Sequence, residues 1–156
     1  MRIIGLLVGI AALMLMLMVV TGPASADATY HTQKIPFMPL AAGTGGGGFV
    51  VNIHANGPNV FAHEEYVVKG AQPLTTYEVT LQVSLANDPT CSSPIAAVVS
   101  ATVTTNPEGN GTAFHVFTPA DISGAGLHGM TIHPRWTLST GGKVVYTTEC
   151  ATAQLD

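Results

Sequence analysis

The chain has 156 residues, of which 47% are hydrophobic and only 9% charged, with a formal net charge of −4 at pH 7. That is enough chain to bury a single core, and the composition excludes a disordered chain, a coiled coil and a disulfide-dense miniprotein. Past residue 26 the basic residues are Lys34, Lys69, Arg135 and Lys143 against nine acids, and none of them cluster, which argues against a nucleic-acid partner.

Met1 and Arg2 precede an uncharged run from Ile3 to Val20, followed by Thr21-Gly22-Pro23 and then Ala24-Ser25-Ala26. This is the layout of a secretory signal peptide over residues 1–26, with cleavage expected between Ala26 and Asp27. The alternative is an uncleaved anchor, since eighteen apolar residues nearly span a bilayer. Either way the remainder is expected outside the cytoplasm, secreted or at the cell surface. The two cysteines, Cys91 and Cys150, are then expected to form one disulfide.

Residues 27–48 read as an extended leader. Ile35 to Leu40 is restricted by Pro36 and Pro39, and Gly43 and Gly45 to Gly48 form a glycine run. The run lacks the Lys-Ser/Thr ending of a phosphate loop, and Phe49-Val50 opens a strand directly after it. It reads as a hinge, or as a loop packed closely against another backbone.

From residue 49 to 156 the periodicity is almost everywhere two, and this stretch is the expected β-sandwich domain. Phe49, Val51 and Ile53 alternate with Val50, Asn52 and His54 before Asn56-Gly57-Pro58 breaks the strand. Val60 to Val68 is a second run. Thr76 to Leu85 is the clearest strand, with Tyr77, Val79, Leu81, Val83 and Leu85 on one face. Further strands are expected at 95–104, 112–117, 131–138 and 143–148, the last two as a hairpin around Gly141-Gly142. Residues 118–130 read as a loop with one helical turn near Ala120-Asp121. About seven strands with frequent turn signals point to an all-β, antiparallel two-sheet sandwich.

The segment Gly70-Ala71-Gln72-Pro73-Leu74-Thr75-Thr76-Tyr77-Glu78-Val79-Thr80-Leu81 resembles the tyrosine-corner segment of fibronectin type III and related immunoglobulin-like domains. The resemblance implies that the Tyr77 hydroxyl ties back to the preceding turn, which Pro73 and Thr75 shape. It covers a dozen residues and lies too far from the chain end for that family, so only the class of an immunoglobulin-like sandwich is carried over.

Histidines are the chemically suggestive residues. His128, Met130 and His133 place imidazole and thioether ligands within six positions, a pairing that suits copper. His63-Glu64 and His54, on neighbouring expected strands, offer a harder zinc- or copper(II)-type site. The competing reading is that these are surface or strand-end histidines. No G-x-S-x-G elbow occurs, and Glu64 and Glu65 point to opposite faces of a strand, so nothing defines a hydrolase. Trp136, the single tryptophan, is expected in the core, or else as an exposed sugar-stacking ring. The sequence therefore predicts an exported, non-enzymatic binding or structural surface module. Its partner is an unidentified protein or cell surface, or a second copy through strand addition. The alternative is an extracytoplasmic copper- or zinc-binding protein.

Overall fold

The computed structural model describes residues 30–55 and 62–155; the expected signal segment and the Asn56-Gly57-Pro58 turn lie outside them. The described chain is all-β apart from one helical turn. Its strands are β1 (Tyr30–Pro39), β2 (Gly47–Ala55), β3 (Ala62–Lys69), β4 (Thr76–Leu85), β5 (Ala96–Thr104), β6 (Gly111–Phe117), β7 (Met130–Thr140), β8 (Lys143–Thr147) and β9 (Ala153–Leu155), with a short helix α1 (Pro119–Gly124).

Every pairing is antiparallel, along one path β5-β4-β7-β8-β1-β2-β3-β6, with β9 added beside β7. The path curls nearly into a barrel. Its turning point is β1, which pairs β2 from Tyr30 to Phe37 and hands over to β8 at Met38 and Pro39. β5 and β6, at the two ends of the path, are not paired with each other but are drawn together at one end by the tight 105–110 turn, where Asn106 N–H donates to Asn110 C=O, 2.8 Å.

The described residues hold two more strands than the seven expected, β1 and β9. Residues 30–39 are therefore no leader. Ile35 and Phe37 are core residues, and β1 lies between β2 and β8. The prolines hid this, because a proline removes a ladder donor and argues against a central strand. Over Tyr30–Phe37, however, β1 is paired on the β2 side alone, so Pro36 fits where its missing N–H faces the unpaired side.

The glycine run that follows is a place of close backbone approach. A Cβ on Gly48 would sit 1.9 Å from the Val67 carbonyl oxygen, and one on Gly46 would sit 2.4 Å from that of Gly70. Side chains are excluded here by sterics. The Tyr146 hydroxyl donates to the Gly45 carbonyl, 2.5 Å, and packs edge-on to Tyr77 at 6.0 Å between centroids. Together with Phe37, Val68 and Val103, these rings fill one end of the barrel.

The other end is covered by α1. Its Thr118 cap and Asp121 side chain exchange hydrogen bonds, and Pro119 begins the first turn. This is a capping box with proline where its missing N–H costs nothing. The turn is short but pinned, and it buries Ile122.

Cys91 and Cys150 form a disulfide spanning 59 positions, which ties the loop before β5 to the segment before β9. Such a bond belongs to an oxidising compartment. Among the described residues no helix is long and apolar enough to cross a membrane.

Candidate functional site

Alternation along a strand sends every second side chain inward, and on β2 the inward set is the more polar one. Val50, Asn52 and His54 are buried, the last two at 2% and 3% exposure, while Phe49, Val51 and Ile53 are half-buried on the outer face. Lys34 covers the Phe49 ring at 3.8 Å, which shields that apolar outer face. On β6 one polar side chain points the same way, between the core-packed Ala113 and Phe117. His115 faces in, whereas Phe114 is 72% exposed and Val116 is also exposed. Burying polar groups costs free energy unless they are paired, so the inward polar side chains of these strands mark the site.

Register places these groups together. Asn52 on β2 stands opposite Glu64 on β3, and Glu64 stands opposite His115 on β6. They form a row across three strands, with directly opposed Cβ atoms roughly 5 Å apart. Glu64 is 1% exposed. Its Oε2 accepts from the indole N–H of Trp136, 2.8 Å, and from the hydroxyl of Tyr66. Tyr66 also meets the Ser100 hydroxyl at 2.7 Å. A phenol has one hydrogen, so with that hydrogen on Glu64 the serine is the donor in the second contact.

This belt spans the middle of the barrel and forms the floor of a cavity of about 460 Å³. Burial drives the Glu64 carboxyl up to about 7, against the two donors from Tyr66 and Trp136 that favour its charged form. Burial and the neighbouring carboxylate push the Tyr66 phenol well above its ordinary range.

The rest of the cavity is apolar. Leu81 and Val83 on β4, Ile132 on β7, Leu155 on β9 and Ile122 of α1 line it opposite the polar row. Ala96 and Val98 on β5 and Val116 on β6 are exposed and also line it. The cavity thus reaches the surface on the unpaired side between β5 and β6. One wall is polar, the other is apolar, and the mouth lies at a strand boundary.

The residues singled out as metal ligands are dispersed over different faces. His54 is inside the cavity, while His63 is on the outer face of β3, edge-on to Phe114 at 6.2 Å. His128 is exposed after α1, and Met130 begins β7. His133 is buried on the far face of β7, where its Nδ1 lies 2.9 Å from the Ala151 carbonyl and 3.1 Å from the Thr152 hydroxyl. Among the described residues no three His, Cys, Asp or Glu side chains are grouped to hold a metal ion. The separation of His63 from His54 follows from pairing. His63 is opposite Ile53, so its side chain shares the outer face.

Trp136 is fully buried, which removes the sugar-stacking option. The backbone N–H of Gln72 donates to the Tyr77 hydroxyl, 3.2 Å, and the Thr75 hydroxyl donates to the Pro73 carbonyl, 2.9 Å. Glu64, Asn52 and His115 were not grouped by sequence reasoning. The available signal was that Asn52 and His54 share one strand face while Glu64 lies on the next strand.

The fold and site define an antiparallel all-β protein, nearly closed into a barrel, with an amphipathic cavity at one end. No protein-family model, curated protein or solved structure matches the chain.

Proposed function

We propose that this is an exported, non-enzymatic binding module that takes a small, largely apolar molecule into the cavity above Glu64. The observation that carries the reading is the cavity itself. About 460 Å³ lies within the roughly 300–1,000 Å³ of small-molecule sites, which combine mostly apolar walls with a few placed polar groups. The buried polar pair Asn52 and Glu64 spends stability on something other than folding, as binding sites do. The neutral dye N-phenyl-1-naphthylamine tests the reading, because its fluorescence rises on entering an apolar site. Saturable one-to-one binding is expected, and Ala96→Phe, which narrows the mouth, should abolish it. Dye binding that ignores Ala96→Phe, or no binding at all, contradicts the proposal.

The immunoglobulin-like kinship remains part of the proposal. It is supported by the Gln72–Tyr77 hydrogen bond and by the passage of β1 from β2 to β8. Export is supported by the disulfide.

A second reading, association with another copy through strand addition, is favoured by β5. It is paired only to β4, carries no charged residue and exposes Val98 and Val99. Uncharged apolar edges invite pairing. Light scattering over a range of concentrations tests it, with a growing dimer fraction expected and a constant monomer mass contradicting it.

A further inference from the structure

The walls of the cavity say what kind of molecule it takes, on the reading that the cavity binds a small ligand. Asn52 Oδ1 is buried and accepts no hydrogen bond from the described residues. Asn52 itself lines the cavity, so this unpaired acceptor lies in the cavity wall. Directly across the strand pair is the Glu64 carboxyl, whose Oε2 already takes two donors from the belt beneath. Those donors come from a phenol and an indole, and neither carries a positive charge. His115 completes the row on β6. The polar wall thus combines the Asn52 acceptor and the Glu64 carboxyl with the imidazoles of His54 and His115, and Asp121 of α1 adds a second carboxyl, while the facing wall of Leu81, Val83, Ile132 and Leu155 offers only hydrocarbon.

Ligand classes divide on that arrangement. A pure hydrocarbon leaves Asn52 Oδ1 unpaired in a buried site, which is costly. An anion meets a buried carboxyl group of its own sign. An alcohol brings a single donor to a wall with several acceptors. A primary ammonium brings three donors and a positive charge to a wall with two carboxyl groups, and hydrogen bonds between charged partners are the stronger ones. Its apolar part then lies on the aliphatic wall, which is where area burial is favourable.

We infer that the ligand is a compact apolar molecule bearing a protonated primary amine, with the ammonium group seated between Asn52 Oδ1 and the Glu64 carboxylate. Entry is between β5 and β6, past Ala96 and Val98.

The test titrates the full exported chain at pH 8 with 2-phenylethylamine, 2-phenylethanol and 3-phenylpropionate. Calorimetry and the fluorescence of Trp136, the sole tryptophan, report binding. The amine should bind about tenfold or more tighter than the alcohol, and the anion should not bind. Glu64→Gln and Asn52→Leu, each checked for a wild-type circular-dichroism spectrum, should collapse that preference to about threefold or less. Should Glu64→Gln fail to fold, Asn52→Leu carries the same comparison. If the alcohol binds as tightly as the amine while the dye still binds, the amine inference is overturned and the cavity reading stands. If neither amine nor dye binds the wild-type protein, the cavity reading fails and takes the inference with it.

Discussion

The indole N–H of Trp136 donates to the carboxylate of Glu64 across 2.8 Å, joining β7 to β3 through the middle of the barrel. The two residues are 72 positions apart, and each is explained by the other. Tryptophan is buried here with its polar atom paired, as a core indole requires. Glu64 is a buried acid held by two neutral donors and facing a cavity. A core built for stability alone would place an apolar residue at this position, since removing a carboxylate from water is expensive.

That cost fixes a pH dependence. Glu64 keeps its proton up to about 7 in the folded chain, against an ordinary value of 4.5. The folded state therefore binds the proton more tightly, and the group contributes stability that is full below about 4.5 and is lost as pH rises through about 7. The difference corresponds to roughly 3 kcal/mol. Chemical denaturation at pH 5 and pH 8 should show the wild type more stable at the lower pH, and Glu64→Gln should remove most of that difference. Equal slopes for the two proteins would show that Glu64 is not the group responsible. Below about 4 the trend reverses. Backbone N–H groups of Ser93 and Ser92 hold the Asp88 carboxyl well below its usual range, and the Thr118 hydroxyl and N–H lower that of Asp121. Their stabilisation disappears when they are protonated.

The disulfide closes a loop of 59 positions. In the chain-entropy account a loop of that length contributes about 4 kcal/mol by restricting the unfolded chain. Replacing both cysteines by alanine should lower the denaturation free energy by about that amount, measured by guanidinium titration. A loss under about 1 kcal/mol would mean that the unfolded chain is already compact.

Gly48 passes against Val67 with no room for a side chain. Gly48→Ala should cost about 3 kcal/mol or more, because backbone on both sides must give way. Gly124→Ala is the control, since nothing lies within 4 Å of a Cβ there. Thermal melts of the two variants compare them directly, and equal melting temperatures would contradict the close approach.

Much of this architecture was legible in the sequence because it rests on local chemistry. Thr76–Leu85 is a strand at the expected residues, with Tyr77, Val79, Leu81 and Val83 buried as their alternation required. The turn around Ala120-Asp121 is helical, and the two cysteines are bonded. What could not be read depends on pairing between distant strands. The prolines of β1 argued for a leader, and only the one-sided pairing of that strand over Tyr30–Phe37 explains how they fit. On β2 the period of two was plain, yet hydrophobicity favours Phe49, Val51 and Ile53 as the inner face, and the chain turns Asn52 and His54 inward instead. The histidines gave a metal hypothesis through their spacing along the chain. Register, which spacing does not contain, separates His54, His63 and His133 onto different faces.

The measurement that tests the central claim most directly is a backbone and indole N–H chemical-shift map of the protein during titration with N-phenyl-1-naphthylamine. The account predicts saturating shifts at Asn52, Glu64, His115 and the Trp136 indole, with little change on the outer face around Phe114 and His63. Shifts confined to that outer face would contradict it, placing the ligand on the surface and leaving the cavity unused.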